Sequence, residues 1–439
     1  MKSSPMLDCR RINGRSNLNG KSRVLVVGTT PDYIDLLRLE HPGKCLFLTE
    51  SKLRLQAKEP DPGSRDEVLF RDDKRLSAIG LLERHQKRYE IEIIGVACFD
   101  CESMPLASLI AKRLGLPYPS SETVACCRNK RRMKQRWRSC GTPSPIFSVV
   151  NRAEEAVEFL QKVGGPCVMK PLSGSGSELV FRVENEDDCR LSFNDIIVGL
   201  TARRTAPLYR ACKEGRTSVL MEEWIEGEEF SCDYLIDKGR VRVIRLARKH
   251  PRRNGPSGII EAYELSPDLP DACRDSRLAP LLLRASSSLG IDRSICMADF
   301  ILRGNQPLFL ELTPRCGGDC LPSLLKTAYN FDTLGMTIRF ARESVDKAVV
   351  RVNEPAVALR LFADRAGTLE WTDAAALRDD RRVLSVVLTR RVGDQVKLPP
   401  LDYDSWILGH VIYRPVPGRS IPEQNEELKL LFQIKIAEK

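Results

Sequence analysis

The sequence predicts an α/β domain followed by an α+β region, and three observations carry that assignment. Residues 23–30 (RVLVVGTT) form a short apolar run that ends in Gly and leads into a helix-like stretch at 31–39, which reads as a buried parallel strand and its crossover. Further on, 219–247 and 295–313 read as strands separated by tight turns, the pattern of hairpins. The length, 439 residues, accommodates two or three domains with cores of their own.

Taken in chain order, 45–48 reads as a second strand, 91–99 as a further one and 105–114 as a helix stopped by Gly115, which completes a doubly wound opening to about residue 120. A basic helix follows at 128–138, then a Gly-Thr-Pro-Ser-Pro break at 141–145. Next come a helix at 153–163 and a strand at 167–170 that runs into a Gly/Ser loop. Turns at Glu226-Gly227 and Asp237-Lys238-Gly239 divide the strands of 219–247, and segments 192–216 and 250–275 read as loops. From about 350 strands return at 356–362 and 382–388, with a last helix near 422–431.

Composition narrows the class. With 42% apolar and 29% charged residues and only 27 Pro and 28 Gly, the chain is that of a packed globular protein. Its apolar runs fall far short of the roughly 20 residues that cross a bilayer, so no membrane span is expected. The first 22 residues are polar and basic without an apolar h-region, which reads as a flexible tail and not a secretory signal, and a cytoplasmic location is expected. Fifteen scattered cysteines, an odd number, read as reduced, buried hydrophobes. Cys98 and Cys101 make one C-x-x-C, but there is no second pair, and none of the four His lies at ligand spacing from it. The net charge of +10 is partly concentrated at 128–138, where seven of eleven residues are basic, so nucleic acid enters as an alternative partner. No recognised module or aromatic platform accompanies the patch, and aromatics are only 6% of residues.

Four constellations carry chemistry. Lys170 ends an apolar strand and is followed by Ser173, Gly174, Ser175 and Gly176, which read either as a plain surface turn or as small residues that let backbone N–H groups approach phosphate oxygens while the strand fixes one positive charge. The run Glu222, Glu223, Trp224, Ile225 and then Glu229 ends a strand in carboxylates around a Gly. It reads either as a solvated strand end or as a hinge that meets a purine edge, with Glu229 for ribose hydroxyls. In the hairpin 299–311 a turn centred on Asn305 makes cross-strand partners sum to 610, so Asp299 faces Glu311 with Cβ atoms roughly 5 Å apart. Like charges that close are destabilising or force a protonation unless a cation sits between them, so the pair reads either as two carboxylates pointing to solvent or as a cation site, for which oxygen ligands of this kind suit Mg²⁺; a period of two then puts Thr313 and Arg315 on the same face. In the basic helix, Cys126, Lys130, Met133 and Trp137 are spaced as one stripe, which makes Lys130 the basic residue expected to point inward, with Asn129 as its cap.

In this order, these motifs resemble the ATP-grasp superfamily and its carboxylate-amine ligases. Asn129-Lys130 with 141–145 resembles the Asp-Lys, Gly-x-Pro-x-Pro segment, 168–171 the second phosphate lysine, 173–177 the phosphate loop, and 222–225 with Glu229 the adenine hinge and ribose carboxylate. Asp299, and Glu311 to Gly318, resemble the acidic residue and the Glu-x-Asn-x-Arg-x-Gly-Gly signature. The resemblance implies an ATP-grasp fold: a flexible tail at 1–22, a pre-ATP-grasp domain at 23–122, a central lid subdomain at 123–225 and a catalytic α+β lobe at 226–439. It also implies ATP held by Lys130, Lys170, the loop 173–176, 222–225 and Glu229, and magnesium held by Asp299, Glu311 and Thr313. Thr313 stands where the family has Asn, which leaves one or two ions open. Arg315 is the implied catalytic cation, and Arg248, in the basic strand end 245–253, the implied contact to an acidic substrate group. The implied reaction is amide formation through an acylphosphate, from small-molecule carboxylates and amines such as amino acids. The chain lacks the entry motif of D-alanine–D-alanine ligases, and its tail at 408–412 resembles the C-terminal lobe of bacterial L-amino-acid ligases. A carboxylase-like reaction is the more distant alternative, and homodimerisation is left open.

Overall fold

The computed structural model describes residues 21–71, 75–210, 218–343 and 349–437. The expected tail falls outside them up to residue 20, and so does the 211–217 part of the loop expected at 192–216. The opening is doubly wound as expected. Strands Ser22–Val27, Cys45–Glu50, Glu67–Phe70 and Glu92–Ala97 make a parallel sheet, with the first and second in its middle. Their buried runs account for the unbroken apolar patterns of 23–27 and 45–48. The strand Glu67–Phe70 and the helix Arg75–Tyr89, which the sequence pattern did not reveal, complete it. Helix Met104–Leu114 ends at Gly115, whose φ of +66° closes the last turn.

A second, antiparallel sheet joins Phe147–Val150, Val219–Glu223, Cys167–Pro171 and Phe181–Val183. Helices Ala153–Val163 and Glu186–Ala202 pack on it through Phe159, Leu160, Cys189 and Ile196. The expected loop at 192–216 is therefore helical to 202. Asn185 caps this helix by accepting from the Asp188 N–H, and three acidic residues in its first turn favour the positive end of the helix dipole.

The third sheet has eight antiparallel strands, in the order Gln306–Thr313, Arg293–Arg303, Glu229–Asp237, Arg240–Pro251, Ile260–Leu265, Ala356–Phe362, Ile407–Tyr413 and Val383–Leu388. One face carries Phe230, Phe300 and Phe309, with Phe230 and Phe300 stacked at 5.6 Å. Against this face packs helix Lys130–Ser139, through Met133 and Trp137. The division expected at 123 assigns that helix to the central subdomain, yet its apolar side lies in the core of the large sheet. The opposite face is covered in part by the N-terminal sheet and by helices Leu321–Tyr329 and Thr333–Arg342. At Gly95 an added Cβ would lie 2.5 Å from the Ala341 carbonyl, so the close approach of the N-terminal sheet to that helix requires glycine.

Trp137 is fully buried, 6.0 Å from Phe309, with its indole N–H donating to the Ala285 carbonyl. Truncation to Ala removes that packing and leaves a cavity, so Trp137→Ala is expected to cost roughly 3–5 kcal/mol in urea denaturation. Leu430→Ala, at a position 81% exposed, is expected to stay within about 0.5 kcal/mol of the parent.

Candidate functional site

The Asp299–Glu311 pairing is present. Its origin differs from the counting that predicts it. The turn is two residues, Gly304-Asn305, and Arg303 opposes Gln306; a bulge beside Leu310 then shifts the register so that Asp299 meets Glu311. Two lysines bracket the pair. Lys249, on strand Arg240–Pro251, reaches across the intervening strand Glu229–Asp237 to Asp299 Oδ2 at 2.9 Å and also donates to Glu229 on that strand. Lys130, at the start of its helix, lies 3.2 Å from Glu311 Oε2. Burial works against the charge on both Lys249 and Glu311. The carboxylates of Asp299 and Glu229 nevertheless hold the Lys249 ammonium well above its ordinary pKa, and the charges of Lys130, Lys170 and Lys249 hold Glu311 below its own.

Asp299 Oδ1 is buried without a hydrogen-bond partner. An orphaned carboxylate oxygen beside a second carboxylate is a donor set that a hard divalent cation satisfies, so these residues fit magnesium. Thr313 lies two residues beyond Glu311, opposite Met297 and half-buried.

Behind this pair lies a buried ion cluster. Glu222 Oε2 sits 2.5 Å from Lys170 Nζ and Glu222 Oε1 sits 2.8 Å from Lys134 Nζ. Lys134 also donates to the Phe309 carbonyl at 3.0 Å. Burial would raise Glu222, but the two ammonium groups outweigh it and bring its pKa to about 2. Burial brings Lys134 down to about 8, with Glu222 offsetting part of the shift. Lys134 is thus the most deeply inward basic residue of the helix, fully buried where Lys130 is 13% exposed. The stripe read through Cys126 fails because the chain breaks between helices at 128–129, and Asn129 caps a new helix by accepting from the Arg132 N–H.

The Gly/Ser loop arches over the lysines. The Lys130 N–H, left without an intrahelical partner, donates to the Leu172 carbonyl at 2.9 Å, and Lys130 Nζ approaches the Gly174 carbonyl at 3.4 Å. Ser173 donates to the Arg128 carbonyl and Ser177 to the Gly258 carbonyl. Ser175 and Gly176 continue the same turn, with Gly176 at a φ of +64°. At the strand end, Glu223 accepts from the Ile146 N–H and pairs with Arg303 at 2.8 Å, and Trp224 lies beneath the Arg182 guanidinium. Ile225 is buried and Glu229 is a quarter exposed. Between them, an added Cβ on Gly227 would lie 1.9 Å from the Leu302 carbonyl, so only glycine lets the strand end pass the hairpin.

Arg315 and Arg248 diverge. Arg315 is held by Cys101 Sγ at 3.3 Å and by its own neighbour's carbonyl, Cys316 O, at 2.7 Å, which sets it against the N-terminal domain. Arg248 lies over the Phe230 ring and pairs with Glu228 and Glu264. Phe230 belongs to the opposite face of the sheet from Asp299, so Arg248 is not brought to the carboxylate pair; its neighbour Lys249 is. Lys249, Lys134 and the buried Arg245–Asp233 pair, which takes the Gly317 N–H on Asp233 Oδ1, were missed in the sequence reading. The strand alternation in 245–250 was the available signal for Lys249.

Residues 163–323 match the family model of the ATP-grasp domain. This chain has an ATP-grasp domain. An L-amino acid ligase from Bacillus licheniformis, a solved structure, superposes with a TM-score of 0.72 at 19% identity, over 95% of this chain and 99% of that one. Among curated relatives, an uncharacterised protein, y4rH, of Sinorhizobium fredii is 26% identical over 70% of this chain and 61% of its own length. A D-alanine–D-alanine ligase of Verminephrobacter eiseniae is 27% identical over 46% of this chain and 60% of its own. The chain therefore spans about three fifths of the length of these two relatives. The ATP-grasp fold accounts for the sheet arrangement, and no helix among the described residues is long and apolar enough to cross a membrane.

The ion cluster makes a pH prediction. Glu222 has its pKa lowered from 4.5 to about 2, so the stability it contributes is complete above about pH 4.5 and is lost as pH falls through 2. Glu222→Gln is expected to cost roughly 3–5 kcal/mol at neutral pH, by leaving Lys134 buried without its anion. The variant should also show a flatter decline of urea midpoints between pH 4.5 and 2; an acid limb as steep as the parent's would mean that Glu222 is not ionised there.

Proposed function

We propose that this chain is an ATP-dependent ligase that joins a carboxylate to an amine, with amino acids as the substrate class. The reading rests most on the Asp299–Glu311 pair bracketed by Lys130 and Lys249, with Lys170 behind the Gly/Ser loop. Such a concentration of cations around two carboxylates is matched to a polyphosphate that arrives with its own divalent ion. The basic helix has inward uses for its charge, Lys134 on Glu222 and Lys130 on Glu311, which removes the main reason for assigning it to nucleic acid.

In this reading Lys130, Lys170 and the loop 173–176 take the phosphates, and the strand end 222–225 with Glu229 takes the nucleoside. Asp299 and Glu311, with Thr313 beside them, would hold magnesium, whose charge offsets that of the β- and γ-phosphates. One oxygen of the substrate carboxylate attacks the γ-phosphorus, the bond to the β-phosphate oxygen breaks, and ADP leaves. Lys130 and Lys170 neutralise charge on the transferred phosphoryl group, and Arg315, which faces Cys101 and the N-terminal domain, would join them only by leaving that contact. The amine nitrogen then attacks the acyl carbon, inorganic phosphate leaves and the amine gives up its proton. Amino-acid substrates are supported by the L-amino acid ligase likeness, which extends over nearly the full length of both chains.

A phosphate-release and mass-spectrometric screen of carboxylates crossed with amines, with ATP and magnesium present, tests the activity. ADP formation that depends on both partners is expected. In calorimetric titration, Lys170→Ala should lose most ATP affinity while Arg131→Ala, at an exposed position, changes it little; equal losses would mean a diffuse polyanion site. Glu311→Gln keeps the side-chain volume but not the charge, and should fold normally yet lose ADP formation by about a hundredfold or more, since a neutral amide is a poor partner for Mg²⁺. A rate equal to the parent's would put the metal elsewhere.

A further inference from the structure

The face of the large sheet that carries Asp299 continues beyond Lys249. Lys249 stands directly opposite Tyr263, Tyr263 opposite Ala358, and Arg360, two residues on and so on the same face, opposite His410. The loop that begins at Pro314 returns to this stripe. Gly317 is pinned to Asp233, where an added Cβ would lie 2.4 Å from Arg245 Nη2, and Asp319 then pairs with Arg360 Nε at 3.2 Å. Arg360 also donates to the Ile260 carbonyl at 2.9 Å and lies over the Phe362 ring. One loop thus presents Arg315 toward the N-terminal domain and Asp319 toward Arg360.

Two features exceed what a structural ion pair requires. His410 is more than nine-tenths buried, yet its Nε2 has no hydrogen-bond partner, beside the charges of Asp319 and Arg360. Asp319 holds a φ of +58°, a left-handed conformation that a non-glycine residue adopts at a cost, and its side chain is 38% exposed while Arg360 is 13% exposed. A guanidinium, an unsatisfied imidazole and a partly exposed carboxylate stand together, in line with the carboxylate pair that would hold the metal.

We propose that Asp319, Arg360 and His410 form the receptor for the amine-donating substrate and select one that is a zwitterionic α-amino acid. Arg360 and His410 Nε2 take its unreacting carboxylate, and Asp319 takes its ammonium. The charges on the receptor are the reverse of those on the substrate, so a plain amine or a plain carboxylic acid satisfies only half of it. This assignment rests on the ligase reading for the order of events, but it makes a binding claim that does not need turnover.

The test is thermal stabilisation of the full chain by each common L-amino acid, beside the amine that lacks its carboxyl group, with ATP and magnesium present. At least one amino acid should stabilise the wild type, and its decarboxylated counterpart should not. Arg360→Ala and His410→Phe should each weaken that amino acid by about tenfold or more, while the shift given by ATP alone confirms that the variants fold. His410→Gln, which keeps an amide donor, should retain part of the affinity. Where turnover is measured, the loss should fall on KM for the amino acid and not on kcat. Equal stabilisation by the decarboxylated amine, unchanged affinity in both variants, or no amino acid bound by the wild type would each overturn the assignment. The ligase reading is tested apart from it, by ADP release from the wild type with carboxylate and hydroxylamine as a minimal amine. ADP release there with no amino-acid binding would sink the receptor alone, and binding without ADP release would sink the ligase reading alone.

Discussion

Two carboxylates forced into register on adjacent strands are the constraint around which this molecule is arranged. At roughly 5 Å and an effective dielectric of about 20, the Asp299–Glu311 repulsion amounts to roughly 3 kcal/mol, a large fraction of the ~5–15 kcal/mol that holds a domain folded. The fold supports it by bringing cations from separate elements: Lys249 from two strands away in the same sheet, Lys130 from a helix N-terminus and, further back, Lys170 from the second sheet. Each of these elements is thereby oriented toward one point. The loop 173–176 follows, because the Lys130 N–H and ammonium both engage its backbone.

Lysines gathered this closely repel one another in turn, and Glu222 is the answer to that second problem. Buried between Lys134 and Lys170, it neutralises part of the cationic cluster without being accessible to solvent. Removing water from three charges is costly and leaves no gain over well-packed apolar residues. The return is positional. Lys134 is anchored at its far side on the Phe309 carbonyl, so Glu222 is fixed and Lys170 is held by it from behind, with one direction left to meet an anion.

The fold was legible where one periodicity ran undisturbed. Buried parallel strands and helices with clear caps, at 23–27, 104–114 and 153–163, stand out because their apolar patterns match their packing. The helix at 186–202 did not, since its polar side is long and only Cys189, Ser192 and Ile196 are buried. The site residues Lys170, Glu229, Asp299 and Glu311, all on strands, were legible as a set because their order along the chain carried the resemblance. Lys134 and Lys249 were not, because nothing in a basic run says which ammonium meets a carboxylate contributed from a distant segment.

Register explains the remaining difference, and it does so twice in the same way. In the hairpin 293–313 the turn alone would set Glu311 opposite Ala298, whose side chain points into the aromatic core; the bulge beside Leu310 moves Glu311 to the face of Asp299. In the hairpin 229–251 a count from the Lys238-Gly239 turn pairs Arg248 with Glu229, and a bulge between Val243 and Arg245 gives that place to Lys249. A single extra residue in a strand reverses which side chains face inward from that point on. Both bulges lie between the turn and the charged residues, so near each turn the register is set by the hairpin, and beyond the bulge it is set for chemistry. The aromatic core of Phe230, Phe300 and Phe309 on the other face fixes the result, because slipping back by one residue would drive Glu311 and Lys249 into it. The cost of burying an unpaired charge there is what keeps the carboxylates and lysines together on the reactive face.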